Sequence, residues 1–386
     1  MYKEEKINLK TFLVFIDVHS LSNKQTIDEA EAEFYDLVLS SGAEIIGKSS
    51  HKQSRPSISH FINKGKLEEI ADLIKNSGID LLIVNHKLSA SQARNLELKL
   101  KIRVIDKTEL KYAVELINKH KIPSPPQTLM DLDKELTSEQ PNQKLIFNLI
   151  NKDIGLSSSI LKVVNSSQYN LSTEVASIEH AVNLLGLNQL RNAIIQPAYK
   201  IALESNLKGF EEITEHSHYV GLISMFVSEH VTFQEPIDIN IFYLLGLFHD
   251  VGVVILAAEF SDYLSFYHKN EEKPLTMSIE EKANYNIRHV AIAVLLAKKW
   301  GLPDDVCNAI YLHHDVYGIY RNKVSYNTLS YSEILKLGHS LSHMFYFGDS
   351  KITDNDQNYI MYENSVRELS LDDEQIESIM IDIKGL

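Results

Sequence analysis

Residues 246–256 read GLFHDVGVVIL, so that His249 and Asp250 interrupt an apolar run extending from Phe242 to Phe260. The run approaches the length a bilayer demands, but a His–Asp pair at its middle, with Gly246 and Gly252 around it, is costly in lipid. The stretch therefore predicts a pair of buried helices and no membrane partner. The same combination, a polar ring on an apolar face, recurs on either side of it. Ile213, His216, Val220, Ile223 and Val227 make one stripe at helical spacing. Tyr285, His289, Ile292 and Leu296 make another on a later helix, and Val306, Ile310 and His313 a third, with His314 beside it. From Thr128 onward apolar residues keep this three- and four-residue spacing, so the whole region reads as helix.

Upstream the pattern changes. Short apolar runs at Phe12–Val18, Glu44–Gly47, Leu81–Val84 and Arg103–Ile105 alternate with helical patterns at Ile27–Leu39, Lys66–Asn76 and Ser89–Leu100, the first two stopped by Gly42 and Gly78. This order predicts a small α/β domain with a mostly parallel sheet. Between the two regions lies HKIPSPPQT, residues 120–128, with Pro123, Pro125 and Pro126 as a stiff boundary. The expected division is an α/β domain over 1–118, a proline-rich linker over 119–127, an all-α domain over 128–325, and a helical C-terminal extension over 326–386 packed upon it. The acidic stretch around Asp354–Asp356 reads as a solvated loop.

Composition narrows the function classes. A chain of 386 residues with 44% hydrophobic side chains has enough apolar surface for more than one core. Its single cysteine, Cys307, excludes an internal disulfide, and the N-terminus lacks a basic-then-apolar export pattern, so the expected location is the cytoplasm. A formal charge of −14 sets the surface as a whole against DNA, whose phosphates require clustered Lys and Arg. A local basic patch on one face remains compatible with that charge.

Two phosphate-like motifs call for opposite readings. Residues 42–49, GAEIIGKS, satisfy G-x-x-x-x-G-K-[ST], but a phosphate loop runs from a strand into a helix. Here Gly42 ends a helix, Glu44–Ile46 are themselves strand-like, and Pro56 follows too soon for a helix from Lys48, so the match is a coincidence of letters. In FINKGKLEEI, residues 61–70, Gly65 and Lys66 open an amphipathic helix whose first N–H groups lack internal partners. With Arg55, Lys64, Gly65 and Lys66 it is the candidate contact for an anion, a nucleotide or RNA.

The histidines carry the second candidate site. A buried neutral imidazole needs partners for both ring nitrogens, and several converging on one place can meet that need through a metal. Adjacent imidazole and carboxylate can bind one divalent ion together, and the ion lowers the pKa of a bound water. The candidate ligands are His216, His249, Asp250, His289, His313 and His314, with iron, manganese or zinc as the cofactor. The alternative is a set of separate core histidines, each bonded to backbone. Trp300, ahead of Gly301 and Pro303 at the end of the His289 helix, reads as core packing.

These residues also carry a resemblance. DIGLSSSILKVVNSSQYN, SIEHAVNLLGLNQLRN, GLFHDVGVVIL and HVAIAVLLAKKWGLPDDVCNAIYLHHD are similar to the HDOD signal-output family, a branch of the HD superfamily of metal-dependent phosphohydrolases. Asn165–Ser166 with Tyr169, Gly186 with Arg191, His249–Asp250 and the Trp300–Pro303 segment fall in family order. The resemblance implies a helical regulatory or interaction module acting on a protein partner, and it implies the metal pattern at His216, His249 and Asp250, continued at His289, His313 and His314. The Gly-Tyr-Pro signature of the cyclic-dinucleotide phosphodiesterases is replaced by HHDVYGIY. Where the superfamily places its last aspartate, EILKLGHSLSH offers His339 or His343. A non-enzymatic signalling protein is therefore the expected function, with a metal-dependent phosphohydrolase of nucleotides or cyclic dinucleotides as the alternative.

The first domain resembles the N-terminal domain of HflX-type ribosome-associated GTPases, through AEIIGKSSHKQSRP, FINKGKLEEI, SGIDLLIVNHKLSASQARNLE and RVIDKTEL in the same order. Asn63 stands where that family's loop usually has a glycine, and no GTPase domain follows. This resemblance implies a docking or sensing module for a nucleotide or the ribosome, and a third reading of the chain as a ribosome-associated stress regulator.

Overall fold

The computed structural model describes residues 10–19, 26–120 apart from 42, 76–78 and 80, and 127–151 apart from 137 and 139. It also describes scattered positions from 157 to 190, residues 210–344 apart from 235–236, 238–239, 272 and 301, and residues 357–384. The expected helix stops Gly42 and Gly78, the prolines of the linker, Ser166, Tyr169, Arg191 and the Asp354–Asp356 loop lie outside the described residues.

Strands β1 (Lys10–Val18), β2 (Glu44–Gln53), β3 (Leu81–Val84) and β4 (Arg103–Asp106) form one parallel sheet in the order β2-β1-β3-β4. Four helices, α1 (Ile27–Ser40), α2 (Lys64–Ile74), α3 (Ala90–Leu100) and α4 (Lys107–Lys119), accompany it. Alternation along β1 sorts them. Phe12, Val14, Ile16 and Val18 pack with α2 and α3, whereas Leu13 and Phe15 face α1 and α4. Thr26 and Glu29 form a capping box on α1, as Ser89 and Gln92 do on α3.

The expected strand Glu44–Gly47 stops six residues short of the observed one. β2 continues through Lys48–Gln53 because it lies at the sheet edge, where polar side chains alternate with half-buried ones and hide the period from a hydrophobicity reading. Gly47, Lys48 and Ser49 therefore sit inside a strand and the phosphate-loop match has no loop. A Cβ on Gly47 would meet the Phe12 ring at 2.9 Å, which is the reason for a glycine there.

The other described elements are helices. α5 (Gln127–Leu136) and α6 (Gln143–Asn151) form a small apolar cluster with Ile160, Val164, Val175, Ile178 and Leu190. Asn165 holds that cluster closed by donating Nδ2 to the carbonyl of Val175 at 2.9 Å and accepting its N–H at 2.7 Å. The main bundle comprises α7 (Phe210–Glu229), α8 (Asn240–Phe248), α9 (Val251–Glu259), α10 (Tyr263–Asn270), α11 (Pro274–Tyr285), α12 (His289–Lys299), α13 (Asp304–Leu312) and α14 (Tyr326–Ser342). Two further helices, α15 (Gln357–Glu368) and α16 (Asp373–Lys384), follow.

The apolar run 242–260 is the expected pair, α8 and α9, divided at His249–Asp250. Residues Ile241–Glu259 pass the length and composition test for a membrane span, yet 89% of the tested window is buried inside the protein. The stripe that placed Tyr285 and His289 on one helix is corrected: Asn286 adopts a left-handed φ of 60°, ends α11, and lets α12 begin at His289. Trp300 packs edge-on against Phe248 with ring centroids 5.3 Å apart. The face of the sheet that carries Leu13, Phe15 and Ile83 belongs to the same continuous apolar core as the bundle.

Candidate metal centre

The candidate ligands reach the centre from five places in the fold. His216 projects from the middle of α7, His249 and Asp250 form the α8–α9 turn, His289 opens α12, His313 and His314 follow α13, and His339 lies in the last turn of α14. All of them are buried, from 0% exposure at His249 and His289 to 9% at His314. Glycine lets the helices close in. A Cβ on Gly246 would fall 2.2 Å from the backbone of Gly221 on α7, and one on Gly252 would fall 2.1 Å from the carbonyl oxygen of His289. The glycines of GLFHDVGVVIL thus bring α7 and α12 against the His–Asp turn.

Asp250 is the hub. It occupies the N-cap position of α9, where an aspartate ordinarily accepts a backbone N–H from the first turn, yet it makes no cap bond. Its Oδ2 accepts from the Tyr267 hydroxyl at 3.0 Å and lies 3.4 Å from His249 Nε2 and 4.0 Å from His216 Nε2. Its Oδ1 lies 3.5 Å from Nε2 of both His289 and His313 and has no hydrogen-bond partner. The 3.4–3.5 Å separations of His249, His289 and His313 exceed an N–H···O hydrogen bond but match two ligands on one ion, since donors at about 2.1 Å from a metal sit about 3.0–3.5 Å apart.

The tautomers strengthen the point. Nδ1–H of His249 donates to the Gly246 carbonyl, that of His313 to Ile310, and that of His314 to Pro274, each at 2.6 Å. A carbonyl can only accept, so in the neutral rings Nε2 carries the lone pair. At His249 and His313 that lone pair faces a carboxylate, and neither Nε2 has a hydrogen-bond partner. Two acceptors face each other across a gap that only a cation would make favourable.

A proton is a poor candidate for that cation at most positions. Burial pushes His313 down to about 4 and holds His216, His314 and His339 well below the ordinary imidazole range. His289 is the exception. Burial opposes its charge, but the adjacent Glu281 outweighs burial and raises it. Nδ1 of His289 donates to both Glu281 oxygens, at 2.8 and 2.9 Å, and the Tyr263 hydroxyl donates to the same carboxylate.

The donor atoms fall into two groups, each within 4.8 Å: His216, His249, Asp250 and His339; and Asp250, His289, His313 and His314. Asp250 belongs to both. The six candidate residues therefore lie together around Asp250. Imidazoles with one or two oxygens suit zinc, iron or manganese. His339, which the sequence offers where the superfamily places its last aspartate, joins the first donor group, and two residues outside the expected set support the centre. Glu281 orients His289, in the carboxylate–histidine pairing usual around metal ligands, and Tyr267 holds Asp250. His343 packs edge-on against His216 and tilted against His339, at centroid distances of 5.4 and 4.8 Å.

A cavity of about 50 Å³ opens beside the second group, lined by Arg94 and Glu97 of α3, by Ser278 and Lys282 of α11, and by Tyr311 and His314. It has room for a few waters, against the several hundred Å³ of a typical organic-ligand site. The anion candidates form no comparable arrangement. Arg55, Lys64 and Gly65 are exposed, α2 begins at Lys64, and Lys66 is half-buried and bonded to Glu69 at 2.6 Å. Asn63 at the N-cap position makes no side-chain cap bond to the first N–H groups of α2.

Comparison with known proteins agrees with this architecture. The HDOD domain family model matches residues 122–316, and the GTP-binding GTPase N-terminal model matches residues 28–111. An uncharacterized protein of Treponema pallidum is 24% identical over 196 residues, 50% of this chain and 38% of its own length. The GTPase HflX of Caldanaerobacter subterraneus is 36% identical over 93 residues, 24% of this chain and 21% of its own. The chain thus spans well under two thirds of these relatives. The crystal structure of an HDOD domain protein of unknown function from Geobacter sulfurreducens superposes with a TM-score of 0.55 at 22% identity, covering 72% of this chain and 97% of that one, which shows a shared fold.

Proposed function

The chain belongs to the HDOD family, matched over residues 122–316, and on that footing we propose that it is a non-enzymatic regulatory protein whose helical domain is built around a divalent metal. The observation that carries this is the set of Nε2 atoms of His249, His289 and His313, all buried, none with a hydrogen-bond partner, and all directed at Asp250. When bound, an ion supplies Lewis acidity and a fixed positive charge. The residues themselves supply the rest: Glu281 orients His289, Tyr267 holds Asp250, and three backbone carbonyls fix the tautomers of His249, His313 and His314. The burial of the donors, with a neighbouring cavity for water alone, favours a structural or sensing role over turnover of a nucleotide. Metal analysis of the purified protein tests it: iron, manganese or zinc is expected in stoichiometric amount and lost in His249→Ala. A protein that carries none and gains no thermal stability on their addition refutes it.

A metal-dependent phosphohydrolase is the second reading, favoured by the sharing of Asp250 between two donor groups, the arrangement two-metal hydrolysis would use. Turnover of cyclic dinucleotides or nucleoside monophosphates that disappears in His249→Ala would establish it over the first. For the α/β domain we propose docking to a nucleotide or to the ribosome through Arg55, Lys64, Gly65 and Lys66, with the helical domain acting on a protein partner in the cytoplasm. The match of residues 28–111 to the HflX-type domain supports this. Co-sedimentation with ribosomal subunits that survives Arg55→Glu with Lys64→Glu would exclude that face.

A further inference from the structure

The α/β domain reaches the centre through two pairs of sequence neighbours. Glu281 and Lys282 are adjacent on α11, and Arg288 and His289 are adjacent where α12 starts. One member of each pair serves the centre, as Glu281 bonded to His289. The other is held by carboxylates of the α/β domain. Lys282 Nζ donates to Asp106 Oδ2 at 2.6 Å and to Glu109 Oε2 at 2.8 Å. Arg288 gives both its backbone N–H and its Nε to Glu109 Oε1, at 3.1 and 2.9 Å. Its Nη1 donates to Glu97 Oε1 at 3.0 Å and its Nη2 to the Val104 carbonyl at 2.8 Å. Tyr311, two residues before His313, donates to that same Glu97 oxygen at 3.2 Å. These charged groups are no more than 7% exposed.

We infer that Glu97, Asp106 and Glu109 are positioning residues for the metal centre, so that the seating of the α/β domain sets how tightly the helical domain holds its ion. The inference rests on the metal reading above. Its warrant is covalent and short: Glu109 fixes the backbone N–H of Arg288, the next residue is the ligand His289, and a trans peptide transmits any shift between them. Ligand geometry must hold within about 0.5 Å for tight coordination, so loosening Arg288 weakens the site. Linkage makes the effect reciprocal, and the ion in turn tightens the interface.

Cobalt(II) added to the full-length chain tests this, read by its visible absorption. Glu109→Gln keeps the shape and removes the charge, while Ile70→Ala, buried against the opposite face of the sheet, destabilises the same domain without touching these contacts. Glu109→Gln is expected to weaken cobalt binding about 10-fold and to shift the spectrum, as substitutions behind metal ligands do, whereas Ile70→Ala leaves both unchanged. Equal affinity and spectrum in the two variants overturn the inference. Should Glu109→Gln not fold, hydrogen exchange on the unsubstituted chain decides. Cobalt is expected to slow the amides of Leu88, Val104 and Glu109, which donate to the Asp106 and Glu97 carboxylates. Slowing confined to residues 210–342 overturns the inference as well. Absence of any cobalt uptake removes the metal reading and this one together; uptake without dependence on Glu109 removes this one alone.

Discussion

Two buried polar clusters lie within one residue of each other in sequence, and they are built on opposite principles. In the interdomain cluster every charge has an opposite: Glu109 accepts from Arg288 and Lys282, Asp106 from Lys282 and two backbone N–H groups, Glu97 from Arg288 and Tyr311. In the histidine cluster donors converge on one carboxylate, and the atoms nearest its oxygen Oδ1 have no hydrogen-bond partner. The first arrangement is complete in protein atoms. The second spends stability, at about 1–3 kcal/mol for each buried polar atom left unsatisfied. Complete pairing marks a joint; convergent shortage marks a binding site.

The contrast predicts where each cluster breaks. Truncating one member of the paired cluster strands its partners, so Glu109→Ala is expected to cost about 3–5 kcal/mol in a denaturant titration. Acid should do the same by degrees. Burial opposes the charge of Glu109, but Arg288 and Lys282 outweigh it and lower its pKa from 4.5 to about 2. A carboxylate depressed in the folded state contributes fully above its unfolded value and is lost as pH falls through its folded one. Stability carried by Glu109 should therefore decline between about pH 4.5 and 2, and Glu109→Gln should flatten that part of the profile.

The histidine cluster should respond instead to metal. At a hundred to a thousand times Kd an ion adds about 2.7–4.1 kcal/mol, seen as a rise in Tm. Asp250→Asn should abolish that rise, because both donor groups share the lost charge. Glu109→Ala with saturating metal should show a diminished rise, whereas full retention would separate the two clusters energetically. The smallest effect belongs to Tyr267→Phe, which removes one hydrogen bond to Asp250: about 1 kcal/mol without metal, and more when metal fixes Asp250 in place.

Much of this was legible in the chain. Alternation predicts the order of strands and helices, apolar stripes under His216 and His313 turn those rings inward, and the apolar run around His249–Asp250 buries that pair. The missed features share a cause, which is that they depend on partners far away in sequence. Glu97, Asp106, Glu109, Lys282 and Arg288 carry no local signal, because their charged partners lie 173–191 residues distant. Glu281 is only eight residues from His289, but the left-handed Asn286 between them cancels the helical phase that would have related them. β2 was shortened because its second half carries the polar residues of an edge.

The common apolar core has a consequence for how such a chain could arise and be altered. Leu13, Phe15, Ile83, Leu110 and Leu116 belong to the same cluster as Val253, Ile292 and Leu296. Segments matched by two different family models thus share one apolar core. Cutting the polypeptide near residue 120 would yield two sticky halves, so domain deletion would report aggregation in place of lost function. Single-residue substitutions at the seam are the sound way to ask what one half does for the other.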